Sequence, residues 1–217
     1  MKLNYRDLEK PKLLRLILLI LLRIYSKIFL RFNVNTNHFL PGKPKIIAIN
    51  HPTTTDPFII ASLFPNARML ISSKAFEFKL TNFLLKKLNH IPVAKTNSIL
   101  AYNQAKKSLK QGKDIIIFPE GSLSNDVSTL NNLRSGLVRL ALETNATILP
   151  IGVNIKKEGI KNFLFKLKMN RKTYGKWYIF NKYYVCFGKS IKLKGRVSNR
   201  DLVKRKSFFI QMVIQKL

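Results

Sequence analysis

The sequence predicts an α/β fold, a mixed, largely parallel central sheet flanked by helices. Short β-rich apolar runs recur along the chain with helix-like stretches between most of them, and that alternation builds a sheet covered on its faces by helices. Of 217 residues, 46% are apolar and 11% aromatic, enough for a buried core despite a strongly basic balance. The length suits one such domain, and no internal repeat or low-complexity linker divides it.

The first element is basic and apolar at once. Residues 12–32 read KLLRLILLILLRIYSKIFLRF, whose longest apolar stretch, 16–22, is far short of the roughly 18–20 residues of a spanning helix. At about 100° per residue, Lys12, Arg15, Arg23, Ser26, Lys27 and Arg31 fall within an arc of roughly 160°. Leu, Ile, Phe and Tyr occupy the remainder. A broad apolar face with a cationic stripe predicts a helix lying in the plane of a membrane interface; the competing reading is a helix packed on the domain with its stripe solvated. No small-residue cleavage site follows Phe32, so the segment is expected to be retained rather than removed as a signal peptide. The expected organisation is a membrane-interface amphipathic helix over 1–32 and a single α/β domain over 33–217.

A polar connector punctuated by Pro and Gly follows over 33–44, and KIIAIN at 45–50 is the first core strand. Further strands are predicted at 67–72, 88–93, 114–118, 147–153 and 183–187, with helices at 57–63, 75–86, 98–111 and 133–144. The stretch 159–184 is the least legible. Its aromatics interleaved with lysines fit base stacking, a lipid headgroup boundary, or an ordinary β-hairpin. Residues 201–217 read as an amphipathic closing helix, with Ser198 or Asn199 as its cap.

Forty Lys plus Arg against ten Asp plus Glu give a net charge of +30. Such a charge points to an anionic membrane surface, nucleic acid or phosphorylated small molecules, unless it is only a lysine-rich solvated surface. A lone cysteine, Cys186, excludes an internal disulfide, and three widely spaced histidines supply no zinc pattern.

Two segments carry chemistry. Asn50-His51-Pro52-Thr53-Thr54-Thr55-Asp56-Pro57 follows the first strand, at the end of a strand where open α/β sheets place their sites. An imidazole takes a hydroxyl proton at neutral pH when a carboxylate fixes its tautomer and stabilises the imidazolium, and His51 and Asp56 have the types for that pairing. Asp56 before Pro57 also reads as a helix N-cap. The second segment, Asp114 to Asn125, is DIIIFPEGSLSN: a buried strand running into a charged turn, where Gly121 lets backbone N–H groups approach an anion.

Together these segments resemble the glycerolipid acyltransferase family that includes the 1-acylglycerol-3-phosphate O-acyltransferases, whose hallmarks are NHxxxxD and FPEG. His90-Ile91-Pro92-Val93 with Lys95, Leu133-Arg134-Ser135-Gly136 and Ile148-Leu149-Pro150-Ile151-Gly152 resemble further blocks of the family, and the likeness spans 45–154. The resemblance implies His51 as general base and Asp56 as its orienting partner. The acceptor would be a lysophospholipid, foremost 1-acylglycerol-3-phosphate, giving phosphatidic acid. Acyl-CoA or an acyl carrier protein would be the donor substrate, with no other cofactor. Glu120, Gly121 and Ser122 would line the acceptor site, and Lys74, Lys95 and Arg134 would hold its phosphate. The enzyme would be peripheral or monotopic on the cytoplasmic face of an anionic membrane. Two departures bear on the acceptor: Ser122-Leu123 stands where many members continue with Thr-Arg, and Lys95 where the family has arginine. Losing a bidentate guanidinium weakens the case for a phosphomonoester and keeps another lysolipid or a glycolipid open. Nucleic-acid binding, the reading from a different class, leaves His51, Asp56 and the FPEG turn unexplained.

Overall fold

A computed structural model describes residues 13–35, 42, 44–127, 129–166 and 172–217. Lys12 and the rest of 1–12, the connector at 36–41 and 43, Ser128, and residues 167–171 of the least legible stretch lie outside the described residues.

Seven strands form the main sheet: β1 (Asn33–Asn35), β2 (Lys45–Ile49), β3 (Arg68–Ser72), β4 (Ile91–Val93), β5 (Ile115–Ile117), β6 (Thr147–Ile155) and β9 (Tyr183–Phe187), in the order β1-β9-β6-β2-β5-β3-β4. Strands β2 to β6 are mutually parallel, and β9 reverses direction against β6. Among the described residues two more strands, β7 (Ile160–Lys166) and β8 (Lys172–Tyr178), pair only with each other as an antiparallel ribbon. The central strand β2 is buried along its whole length, which is why it reads as a continuous apolar run.

Side chains of β2 alternate between two cores. Ile46 and Ala48 join Ile115, Ile117 and Ile148 on one face, covered by helices α4 (Ser98–Lys110), α5 (Gly136–Thr144) and α6 (Arg200–Gln215). Ile47 and Ile49 join Ile116, Leu149 and Ile151 on the other, with Ile59 and Ile60 of α2 (Asp56–Leu63) and Leu30 beyond the end of α1 (Leu13–Ile28). The remaining helix, α3 (Lys79–Lys87), follows a 3-10 turn at Ser73–Glu77, so the helix predicted from 75 starts later. Asn199 caps α6, its side chain accepting from the Leu202 N–H at 2.8 Å.

Helix α1 is moored by its C-terminal half. The Tyr25 hydroxyl donates to the Tyr178 carbonyl at 2.7 Å, and the Leu30 carbonyl accepts from the Tyr183 N–H at 3.0 Å. Ser26, placed by periodicity in the cationic stripe, is buried instead and donates to the Arg23 carbonyl. Leu13, Leu16, Ile17, Ile20, Leu21, Ile24 and Ile28 are exposed. Among the described residues no helix is long and apolar enough to cross a membrane.

Candidate active site

Parallel strands bring their C-terminal ends to one edge, and β2 and β5 are neighbours there. The turn after β2 therefore carries His51 next to the turn after β5, which carries Glu120. Beyond the end of β2 the chain leaves the sheet while β6 continues, and Asn50 completes the ladder with its amide. Its Nδ2 donates to the Val153 carbonyl at 2.9 Å and its Oδ1 accepts from the Val153 N–H at 2.6 Å. An amide side chain carries the donor and acceptor of a peptide group, so it replaces one.

His51 and Asp56 meet. Nδ1 of His51 lies 3.1 Å from Oδ2 of Asp56, with the imidazole side chain 16% exposed and the carboxylate wholly buried. The ring stacks on Phe118, centroid to centroid 4.2 Å. Asp56 is not the N-cap that its place before Pro57 suggests. Thr55 takes that position and α2 starts at Asp56, whose carboxylate turns back toward the preceding loop. Its Oδ2 accepts from the Thr53 N–H at 2.7 Å, and its Oδ1 from the Thr53 hydroxyl at 2.6 Å and the Tyr183 hydroxyl at 2.8 Å. With three other donors already directed at it, the carboxylate acts as an acceptor and the imidazole donates through Nδ1. That tautomer leaves Nε2 with its lone pair. Burial, together with the Asp56 charge, pushes the Tyr183 phenol well above its ordinary 10.0, so it stays a donor.

Glu120 is 4% exposed. Its Oε1 accepts from the His51 N–H at 2.9 Å, its Oε2 from the Asn131 N–H at 2.8 Å, and the Ser124 hydroxyl lies 2.9 Å from both. Ser124 closes the circuit by donating its N–H to the His51 carbonyl at 2.8 Å. The carboxylate thus ties three backbone segments around the histidine. Gly121 has φ +72°, and a Cβ there would run into the Arg134 guanidinium. Arg134 is exposed and held beside the turn through its N–H, which donates to the Pro119 carbonyl at 2.8 Å. The helix predicted from 133 begins instead at Gly136, because the Arg134 N–H serves the turn, the Leu133 N–H donates to Gln211 Oε1 of α6, and Ser135 takes the N-cap position.

His51, Asp56, Glu120, Gly121 and Arg134 are therefore brought together. Ser122 is exposed on the same turn. Lys74 and Lys95 follow β3 and β4 at the same sheet edge, two and three strands from β2, which is roughly 10 and 14 Å sideways at about 4.8 Å per strand. Lys95 also borders an open depression of about 480 Å³ with Asn97, Ser98 and Leu100. Sequence reasoning missed Thr53 and Tyr183 as partners of Asp56, and Lys176, whose Nζ donates to the Ser124 carbonyl at 2.9 Å. Thr53 had a local signal, a hydroxyl three residues before the carboxylate; Tyr183, 127 positions away, had none.

Residues 31–154 match the family model described as Acyltransferase. The chain is 25% identical over 133 residues to the lyso-ornithine lipid O-acyltransferase of Pseudomonas aeruginosa, covering 60% of this chain and 51% of that protein. It is 26% identical over 129 residues to the 1-acyl-sn-glycerol-3-phosphate acyltransferase of the same organism, covering 58% and 50%. The chain spans about half the length of these curated relatives. Among solved structures, the 1-acyl-sn-glycerophosphate acyltransferase of Thermotoga maritima shares the fold, with a TM-score of 0.69 at 16% identity over 96% of this chain and 81% of that one.

Proposed function

Since the chain belongs to the acyltransferase family, we propose that it transfers a fatty acyl group from an acyl-CoA or acyl carrier protein thioester to the free hydroxyl of a lysophospholipid. The observation that carries this reading is the contact of His51 Nδ1 with the buried Asp56 carboxylate. With Nδ1–H committed to Asp56, Nε2 takes the proton of the acceptor hydroxyl as its oxygen attacks the thioester carbonyl. The new C–O ester bond forms, the C–S bond breaks, and the departing thiolate recovers the proton from the imidazolium. Asp56 holds the ring and stabilises its charged form without taking the proton. No covalent acyl-enzyme is needed, so Cys186 and Ser122 have no nucleophilic role.

Glu120 acts in this scheme by positioning the histidine's backbone, and Gly121 and Ser122 border the acceptor. Arg134, seated against Gly121, supplies the guanidinium fork that Leu123 does not, with Lys74 and Lys95 as further cations along the same edge. On this basis 1-acylglycerol-3-phosphate is the first acceptor and phosphatidic acid the product. A second reading, acylation of a lysolipid without a phosphomonoester, is favoured by Leu123 itself. The exposed apolar residues of α1, beside Arg23 and Lys27, suit an anionic membrane surface, where the acceptor is found. Purified protein given a panel of lysolipids with either thioester, and products weighed by mass spectrometry, tests both readings. Phosphatidic acid is the expected product; product formed only from acceptors without a phosphomonoester selects the second reading, and no acyl transfer to any acceptor refutes both.

A further inference from the structure

The ribbon β7–β8 is left unused by the chemistry, and three large apolar or aromatic side chains away from its root are exposed. Leu164 faces Tyr174 across the ribbon, 51% and 73% exposed, and Phe163, opposite Gly175, is 44% exposed. Between residues 160 and 178 the sequence holds Lys161, Lys166, Lys168, Arg171, Lys172 and Lys176 and no Asp or Glu. Large exposed apolar side chains on a two-stranded ribbon, within a segment whose only charges are cationic, match an anionic lipid surface in both chemistry and charge.

The ribbon's root adjoins the catalytic turn. The Lys176 carbonyl accepts from the Thr54 N–H at 2.7 Å, and the Tyr178 N–H donates to Thr55 Oγ1 at 2.8 Å. Trp177 stacks on Phe58 of α2, and the Tyr178 carbonyl holds the Tyr25 hydroxyl of α1. We infer that the β7–β8 ribbon is a second bilayer-contacting element, inserting Leu164 and Tyr174 among anionic lipids next to the turn that carries His51. The inference rests on the membrane location proposed above for the acceptor. Its function would be to hold the catalytic turn at the surface from which that acceptor comes.

The test uses the full chain and vesicles of phosphatidylcholine containing phosphatidylglycerol. The double variant Leu164→Asp/Tyr174→Asp, with α1 intact, should partition onto them at least about tenfold more weakly than the parent. An independent reading comes from Tyr174→Trp in a Trp177→Phe background, since Trp177 is the chain's one tryptophan. Its emission should shift to the blue on binding and be quenched by brominated acyl chains. Binding of the double variant within twofold of the parent, or emission at 174 that vesicles leave unchanged while the protein sediments with them, overturns the inference. So does a double variant that loses self-association or nucleic-acid binding and keeps its vesicle binding. A parent chain that ignores these vesicles removes the membrane location and the ribbon's role together; a parent that binds through the ribbon and transfers no acyl group leaves this inference standing and refutes the catalytic reading.

Discussion

Glu120→Gln separates two roles for the FPEG carboxylate, a clamp on the catalytic turn or a ligand for substrate. The native side chain faces two fixed donors, the N–H of His51 at Oε1 and the N–H of Asn131 at Oε2, with the Ser124 hydroxyl between them. Glutamine has one carbonyl oxygen. Whichever way its amide is turned, the NH₂ confronts a backbone N–H that cannot rotate away. The substitution loses one hydrogen bond to a charged group, about 1.5–3 kcal/mol, and leaves a buried donor unsatisfied, about 1–3 kcal/mol. The two overlap, so a net cost of about 2–4 kcal/mol is expected, or a melting temperature lower by roughly 5–15 °C for a chain of this size. Because one of the donors is His51 itself, kcat should also fall, by about tenfold to a hundredfold, with KM for the acceptor little changed. Differential scanning calorimetry and initial-rate kinetics on the same preparation read both effects. A variant that melts with the parent and differs only in a raised acceptor KM would refute the clamp.

Tyr183→Phe removes one of the donors on Asp56 and should cost about 1.5–3 kcal/mol at neutral pH, read by urea unfolding. Its pH dependence is more telling. The native phenol is raised above 10.0, so its contribution is full below pH 10 and is lost as pH rises through the higher folded value, since the unfolded chain releases the proton first. Stability of the parent should thus fall above pH 10 more steeply than that of the variant, by up to about 1.4 kcal/mol per pH unit; equal slopes would contradict the assignment. Gly121→Ala places a Cβ at φ +72° and against Arg134. It should cost about 1 kcal/mol or more in stability and lower activity by displacing the guanidinium, and a variant with unchanged melting and kinetics would show that the turn relaxes freely.

The sheet was legible because its strands are nearly continuous apolar runs, a signature of burial on both faces, as in Ile115–Ile117 and Lys45–Ile49. Strand β1 places one apolar residue, Val34, between Asn33 and Asn35, too short a run to leave a period, so the segment reads as connector. The β7–β8 ribbon is the β-hairpin among the three readings of 159–184, and its pattern is faint for a related reason. On β7 Lys161, Asn162, Phe163 and Leu164 are all exposed, so they follow one another without alternation. At the site, His51 and Asp56 have the types for a base and its partner, but it is the resemblance of the two motifs to the family that singles them out, and Asp56 opens α2 without capping it because its carboxylate bonds backward to Thr53. Tyr183 reaches Asp56 only through the crossing of β9 to the far side of β6, a contact that follows from topology and leaves no mark in local sequence.

The most direct test is single-turnover acyl transfer to a lysolipid by the parent and by His51→Ala, each bound to vesicles. With the imidazole as general base, the variant should transfer at least about a hundredfold more slowly while keeping its vesicle binding. A rate within a few fold of the parent would mean that the proton leaves the acceptor hydroxyl by another route, and the role given to His51 and Asp56 would be wrong.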